Sequence, residues 1–467
     1  MSTSSADSTH FQTNREFSNQ EKPYIQKLLL RAMDELQNVE EQIARLTYRQ
    51  TKLKSDISHY KTALAPHKML PEHILQLIFQ WCIPPDGLPV PIQPRDANES
   101  GPSFTRVCSS WRKLAMNTPE LWRDVAVDLC RDRHNDSRIN LAHEWLSHAG
   151  DMLRSLKIEA HYPRNTSDID RLIVPFSFRS LDLSLTRDQF QRVLTLPLQT
   201  QSLHLGAPFS RDIYEDCSAC NMITTLPWSQ LCHLRIDDAS ISTSTLISAL
   251  GGCLVLEELW LILCPDPAPC DAPASFITVP NLRKLSLYFM TGSNPEMFFR
   301  SLILPQIEHL KISMTGGFHM EMPGYTSLHF ANMAQRSSMS QIQSLRLGKG
   351  AKPYRLVDLL KHTPSLSRLE VNGDVVFDSQ TLEDVSTGQL GPNITTLYLL
   401  EVEDSLRIFQ MVWTRFHHAK NTEASVTPIM YVQTSVPPVA EKPEVNRWFD
   451  RLRDLGILCF YQYFHRV

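Results

Sequence analysis

Residues 282–287 read LRKLSL. The same spacing, apolar-x-x-Leu-x-apolar, recurs as LRSLKI from Leu153, FRSLDL from Phe178, LCHLRI from Leu231 and LEELWL from Leu256. It continues as IEHLKI from Ile307, IQSLRL from Ile342, LSRLEV from Leu366 and ITTLYL from Ile394, with a degenerate copy, TQSLHL, from Thr200. Starts fall mostly 22–28 residues apart, with longer gaps before Leu231 and Ile342. Chance supplies one or two such hexads, not a near-regular series. Within each, two apolar residues such as Leu156 and Ile158, or Leu181 and Leu183, lie on one side of a short strand. A single strand cannot bury that side, so the strands are expected to stack in parallel, each burying its neighbour. Pro280, Pro305, Pro364 and Pro392 each stand two residues before a hexad. There a proline ends the preceding segment and starts the strand extended.

This period is the mark of leucine-rich repeats. Residues 127–467 are therefore expected to form an irregular leucine-rich-repeat α/β solenoid with parallel strands. It is irregular because the Asn that follows the strand in regular repeats is mostly missing; Cys264 is the nearest match. Helices are expected between strands at 245–250, ended by Gly251, at 296–303, and at 354–362. Past Val402 the hexad stops. Helices at 406–417 and 443–455 and strands at 428–436 and 457–464 are expected to cap the open end of the solenoid.

A second stretch, residues 69–122, reads MLPEHILQLIFQWCIPP, then a polar Pro-rich insert, then SFTRVCSSWRKLAMNTPELW. Pro71 suits the first helical position. Leu70, Ile74, Ile78 and Trp81 make one apolar stripe, with Leu75, Phe79 and Cys82 beside it. Pro84 and Pro85 stop the helix. Ser103 is a candidate N-cap for a stripe of Phe104, Val107, Cys108, Trp111 and Leu114, and Thr118-Pro119 starts a last turn carrying Leu121 and Trp122. Two readings fit so apolar a pair of helices: it meets the rest of the chain on several sides, or it keeps a face for another protein.

These residues resemble the F-box: Leu-Pro-Glu-x-Ile-Leu-x-x-Ile-Phe at 70–79, Val-Cys-x-x-Trp-Arg at 107–112, and Pro119 ahead of Trp122. The long connection at 86–102 departs from the commonest form and is similar to inserts in F-box-like proteins of mushroom-forming fungi. The resemblance implies a helical domain over 66–126, with an insert at 84–103. It implies that Leu70, Pro71, Ile74, Leu75, Ile78, Val107, Trp111 and Trp122 form or support a docking surface for a Skp-type adaptor, and through it a cullin. The chain would then be the substrate-recognition subunit of an SCF-type ubiquitin ligase, with no active site of its own. A scaffold outside ubiquitin chemistry, displaying a repeat surface on a coiled coil, is the alternative.

Ahead of this stretch, residues 1–22 are polar and are expected to be a disordered tail. A heptad then runs through Leu29, Ala32, Leu36, Val39, Ile43, Leu46, Gln50, Leu53, Ile57, Tyr60 and Leu64 without a slip. A coiled-coil helix over 23–65 is expected, with Gln50 fixing its register. Its seam meets either a second copy of the chain or the chain's own helices.

Composition narrows the function. Lys plus Arg is 46 and Asp plus Glu 50, a net charge of -4, which argues against a nucleic-acid or polybasic membrane role for the whole chain. The N-terminus lacks a secretory signal's apolar run, and no stretch is long enough to span a bilayer. A cytoplasmic or nuclear location with reduced cysteines is expected. No GxSxG, HExxH, GxxxxGK[ST] or GxGxxG is present. Cys217-x-x-Cys220 lacks a second pair at finger spacing. With Cys264 and Cys270 it could make four metal ligands, but loop thiols are the better reading, and no metal or cofactor is expected. His417-His418, being adjacent, suits a solvated helix end better than one metal.

The residues flanking each buried pair point the opposite way. They form a column one step after the hexad's Leu: Lys157, Asp182, His204, Arg235, Trp260, Ser286, Lys311, Arg346, Glu370 and Tyr398. Two residues earlier stand Glu258, Lys284, His309 and Arg368; two later stand Asp237, Ile262, Tyr288 and Asn372. Trp260 and Tyr288 are large aromatics where water is expected, among an excess of cations. Arg235, Trp260, Lys284, Tyr288, Lys311, Arg346 and Arg368 are therefore the candidate target-binding residues, suited to an acidic or phosphorylated segment. The competing reading is that another segment covers the aromatics and the basic residues are solvated.

Overall fold

The computed structural model describes residues 16–66, 70–90, 101–129, 135–160, 167–206, 226–266, 276–290, 292–293, 295–314, 326–349, 352–402, 404–421, 426–435 and 442–462. They fall into two compact units, the first ending at Leu75 and the second beginning at Gln76. The first unit is dominated by α1 (Glu21–Ala63), 43 residues with none buried. No Gly or Pro breaks its heptad, which is why it stays one helix. Its start and end lie within two residues of the expected 23–65.

The second unit is built on one sheet. Its strands are β1 (Leu88–Pro89), β2 (Asp124–Asp128), β3 (Arg154–Glu159), β4 (Phe178–Ser184), β5 (Thr200–Gly206), β6 (His233–Ser242) and β7 (Glu258–Cys264). After the short β8 (Ile277–Thr278) come β9 (Lys284–Phe289), β10 (Leu302–Ile303), β11 (His309–Met314), β12 (Ser344–Leu347), β13 (Tyr354–Arg355), β14 (Arg368–Val376), β15 (Thr396–Val402), β16 (Tyr431–Ser435) and β17 (Leu458–Gln462). The sheet order follows the sequence order from β1 to β17, with β8 and β10 paired apart and β13 beside β14. Every pairing is parallel. This is a leucine-rich-repeat solenoid.

The hexad explains the core. All ten pairs, from Leu156 and Ile158 to Leu397 and Leu399, are at most 2% exposed. The first apolar position is equally buried, from Phe178 to Ile394, except for Leu153 in the first copy. The residues after the prolines stitch repeats together: Asn281 donates its amide to the Leu254 carbonyl at 2.6 Å, and Asn393 to that of Pro364 at 3.0 Å. Helices line the connections, among them Asn135–His148, Thr243–Leu250, Ser327–Ser337, Ser379–Thr387 and Ser405–Asn421. Ser242 caps the second of these, accepting from the Thr245 N–H.

The strand series is longer than the Leu hexads. Trp122-x-x-Val125-x-Val127 has the same spacing with Val for Leu, and it forms β2. Ile429-x-x-Val432-x-Thr434 does the same for β16, with Ile429, Val432 and Thr434 all fully buried. The expected insert contributes β1 to the sheet, and β2 runs across the expected domain boundary at 126. The strands expected at 428–436 and 457–464 are β16 and β17, which extend the sheet in register. The helix expected at 354–362 is shorter, Leu356–Leu360, because Tyr354 and Arg355 pair with β14. Ile303 likewise leaves its helix to pair with β8.

One buried cation holds the last repeats. Arg415, fully buried, donates to the carbonyls of Val385 at 2.7 Å, Pro392 at 2.7 Å, Gly391 at 2.9 Å and Thr427 at 2.8 Å. Burial pulls the guanidinium down to about 10, so it stays charged at neutral pH. Carbonyl acceptors replace the water it loses, and they tie two consecutive connections, β14 to β15 and β15 to β16, to one side chain.

Candidate functional site: the charged and aromatic face of the sheet

The column from Lys157 to Tyr398 is in register from strand to strand throughout. Parallel neighbours sit ~4.8 Å apart, so these side chains act on one another across the sheet.

At the middle, Arg235 lies over the Trp260 ring at 5.2 Å, and Trp260 packs on Tyr288 at 5.0 Å between centroids. Lys311 lies 4.8 Å over Tyr288. Four of the seven candidate target-binding residues thus form a single stack, two rings between two cations. Each ring face turned to a cation is the electron-rich one. Lys284 instead binds Glu258 at 2.6 Å.

Further on, Arg346 and Arg368 converge on Glu370, at 3.0 and 3.5 Å. Glu370 is only 8% exposed, so it meets both arginines with little water between. Arg368 also lies 4.7 Å over Tyr398. Tyr398 packs on Tyr431 at 4.7 Å, and Tyr431 stacks on Phe460 at 5.2 Å. Burial and a hydrogen bond with Tyr398 push the Tyr431 phenol up to about 12, so it remains neutral. Tyr431 and Phe460 were invisible as site residues because their strands lack the Leu hexad.

Before the middle stack the face carries paired charges of both signs. His204 places Nδ1 2.8 Å from Asp182 and Nε2 2.8 Å from Asp237. Hydrogen bonds to the two carboxylates raise the imidazole from 6.5 to about 9, so it is a cation at neutral pH. Its proton holds the Asp182 carboxyl below the usual range. Asp237 also takes Arg235 Nε at 2.9 Å. Asp237, two residues on from Arg235, reaches His204 diagonally across the β5–β6 pairing, which stays in register through Ile236. On the other side β6 and β7 pair at Arg235–Trp260 and resume only at Ser240–Ile262, so Asp237 is not paired with Ile262 as the column expected. Two other expected face residues, Ile262 and Asn372, are buried, the latter at a second irregularity in β14.

Of the residues implied for adaptor docking, Leu70 and Pro71 are exposed, Ile74 is half-buried and Leu75 is buried. Ile78 and Val107 are exposed, Trp111 is half-buried, and Trp122 is fully buried. Phe79 organises the local core, 4.9 Å from Phe104 and 5.0 Å from Trp111. The helix expected from Ser103 breaks into a 3-10 turn, Ser103–Arg106, and a helix, Ser109–Met116. Cys108 between them is extended, with its Sγ 3.1 Å from the Ser110 hydroxyl. Trp122 donates Nε1–H to the Ala115 carbonyl at 2.8 Å and packs edge-on to Trp145, so it supports these helices from the core. Leu77 and Trp81, unassigned by the motif, are exposed at 49% and 88%.

Cys217, Cys220 and Cys270 lie outside the described residues, and Cys264 is buried. Among the described residues no group of three or more His, Cys, Asp or Glu side chains could hold a metal ion. His417 is half-buried, 4.5 Å from Trp413, rather than solvated. No helix among the described residues is long and apolar enough to cross a membrane.

No family model matches the chain, and no curated protein matches it. Among solved structures it is similar to the complex of Rad7 and Elc1 in yeast, at 15% identity and a TM-score of 0.37, over 90% of this chain and 94% of that one.

Proposed function

We propose that this chain is the substrate-recognition subunit of an SCF-type ubiquitin ligase, non-catalytic itself. In this reading the F-box-like helices hold a Skp-type adaptor, and through it a cullin. The face of the parallel sheet holds the target. The observation that carries the reading is the exposure of Leu77, Ile78 and Trp81 on the helix Glu72–Trp81, and of Val107 just after the turn Ser103–Arg106, while Phe79 and Phe104 of the same elements are buried. Large apolar side chains held in water beside a well-packed core suit a partner that covers them. The target face supports the second half, since Arg235, Trp260, Tyr288 and Lys311 form a preformed aromatic and cationic surface.

The exposed seam of α1 favours a second reading, a coiled-coil scaffold outside ubiquitin chemistry. Co-purification with a Skp-type adaptor separates the two. The double variant Leu77→Ser with Trp81→Ser spares the buried residues and should lower adaptor capture tenfold or more, ~1.4 kcal/mol or above. Leu75→Ala is a poorer probe, because Leu75 is 7% exposed and its loss disturbs packing. Absence of adaptor binding by the wild-type chain, or capture undiminished by the double variant, would refute the docking surface.

A further inference from the structure

The sheet face carries two aromatic ridges. Trp260 and Tyr288 make the first, on β7 and β9. Tyr398, Tyr431 and Phe460 make the second, on β15, β16 and β17. From β9 the sheet steps through β11, β12 and β14 to β15. Those steps cover ~19 Å at ~4.8 Å each, and ~26 Å from ridge centre to ridge centre. Between the ridges stand Lys311, Arg346 and Arg368, the last two around the carboxylate of Glu370. The intervening surface is therefore electropositive.

We infer that, granting the receptor role proposed above, this face takes an extended peptide segment with two hydrophobic side chains about six or seven residues apart and acidic residues between them. Extended chain covers ~3.3 Å per residue, so six or seven residues span ~20–23 Å, between the near-edge and centre-to-centre separations of the ridges. Each hydrophobic side chain covers one ridge and removes its water. The acidic residues between them meet the three cations. Two modest anchors on one chain reinforce each other through effective concentration, but only when their separation matches the ridges. Charge distinguishes the two sides: past Trp260 the carboxylates of Asp237 and Asp182 already pair with Arg235 and His204, and among the described residues no surplus of cations remains there for an acidic segment. A single nucleic-acid strand suits the face less well, because the rings of each ridge pack on one another at 4.7–5.2 Å and leave no slot for a base.

The test is fluorescence anisotropy of the full-length chain with fluorescein-labelled peptides. Two Phe residues flank a Glu/Ser spacer of two, five, six or ten residues. Spacers of five and six should bind at least tenfold tighter than a spacer of two, and tenfold tighter than either single-Phe peptide. Trp260→Ala and Phe460→Ala should each weaken the matched peptide about tenfold. Lys311→Glu, a half-exposed substitution that spares the core, should weaken it and flatten its salt dependence. No binding at any spacing overturns the inference, as does affinity indifferent to spacing or to the Phe residues. So does a uridine oligonucleotide that displaces the peptide at lower concentration than unlabelled peptide does. Adaptor capture by the same variants, if intact, shows that a failure here belongs to the peptide and not to the receptor reading.

Discussion

His204 makes the solenoid's stability depend on pH in a window where few other side chains titrate. Its imidazole is raised from 6.5 to about 9 by the two carboxylates that grip it. A group whose pKa is higher in the folded state stabilises fully below its unfolded pKa and loses that contribution as pH rises through the folded one. The stabilisation is therefore complete near pH 6 and gone above about pH 9. At about 1.4 kcal/mol for each tenfold change in proton affinity, the rise is worth at most ~3 kcal/mol. The imidazole is 35% exposed and Asp182 42%, so water screens the pair and ~1–2 kcal/mol is the realistic figure. His204→Gln keeps a polar side chain of similar reach and removes the titration. Urea denaturation of both proteins at pH 6, 7.5 and 9.5 measures the difference. Wild type should exceed the variant by ~1–2 kcal/mol at pH 6, and the two should converge by pH 9.5. Parallel pH profiles would refute the argument, since ionisations common to both proteins cancel. In the acid limb the lowered Asp182 and Asp237 act oppositely: their contribution is present above the unfolded carboxylate pKa and is lost as pH falls below it.

Arg415→Met should destabilise the chain by about 3 kcal/mol, read by chemical denaturation, because it strands the carbonyls of Val385, Gly391, Pro392 and Thr427 in the core; a change below about 1 kcal/mol would show that water replaces the guanidinium. The exposed heptad of α1, with Leu36, Val39, Ile43 and Leu46 all at 45% exposure or more, should pair with a second copy. Light scattering should then give a mass above the 53.5 kDa of one chain, falling to monomer when residues 24–64 are deleted; a monomeric full-length chain would refute self-association.

What the sequence by itself determined here is the repeat. A strand's side chains alternate because of its backbone geometry, so the spacing of Leu and Ile alone says which positions are buried and which share the opposite face. The column from Lys157 to Tyr398 follows from that alternation and from the parallel stacking it demands. The strand β2 was harder to see, and β16 and β17 were legible as strands but not as further repeats, since Val, Thr or Cys stands where Leu marks the others. Their burial comes from neighbouring strands already in place, which accept any side chain of suitable size. The tertiary structure alone decided the pairing of charges. Asp237 reaches His204 across the β5–β6 pairing, and nothing in the local pattern marks that meeting or the slip of β6 against β7 after Arg235. Arg415 is a core residue because four carbonyls from two successive connections converge on it, which is a matter of long-range packing. Contacts of this kind depend on which segments become neighbours, and that is a property of the folded chain as a whole.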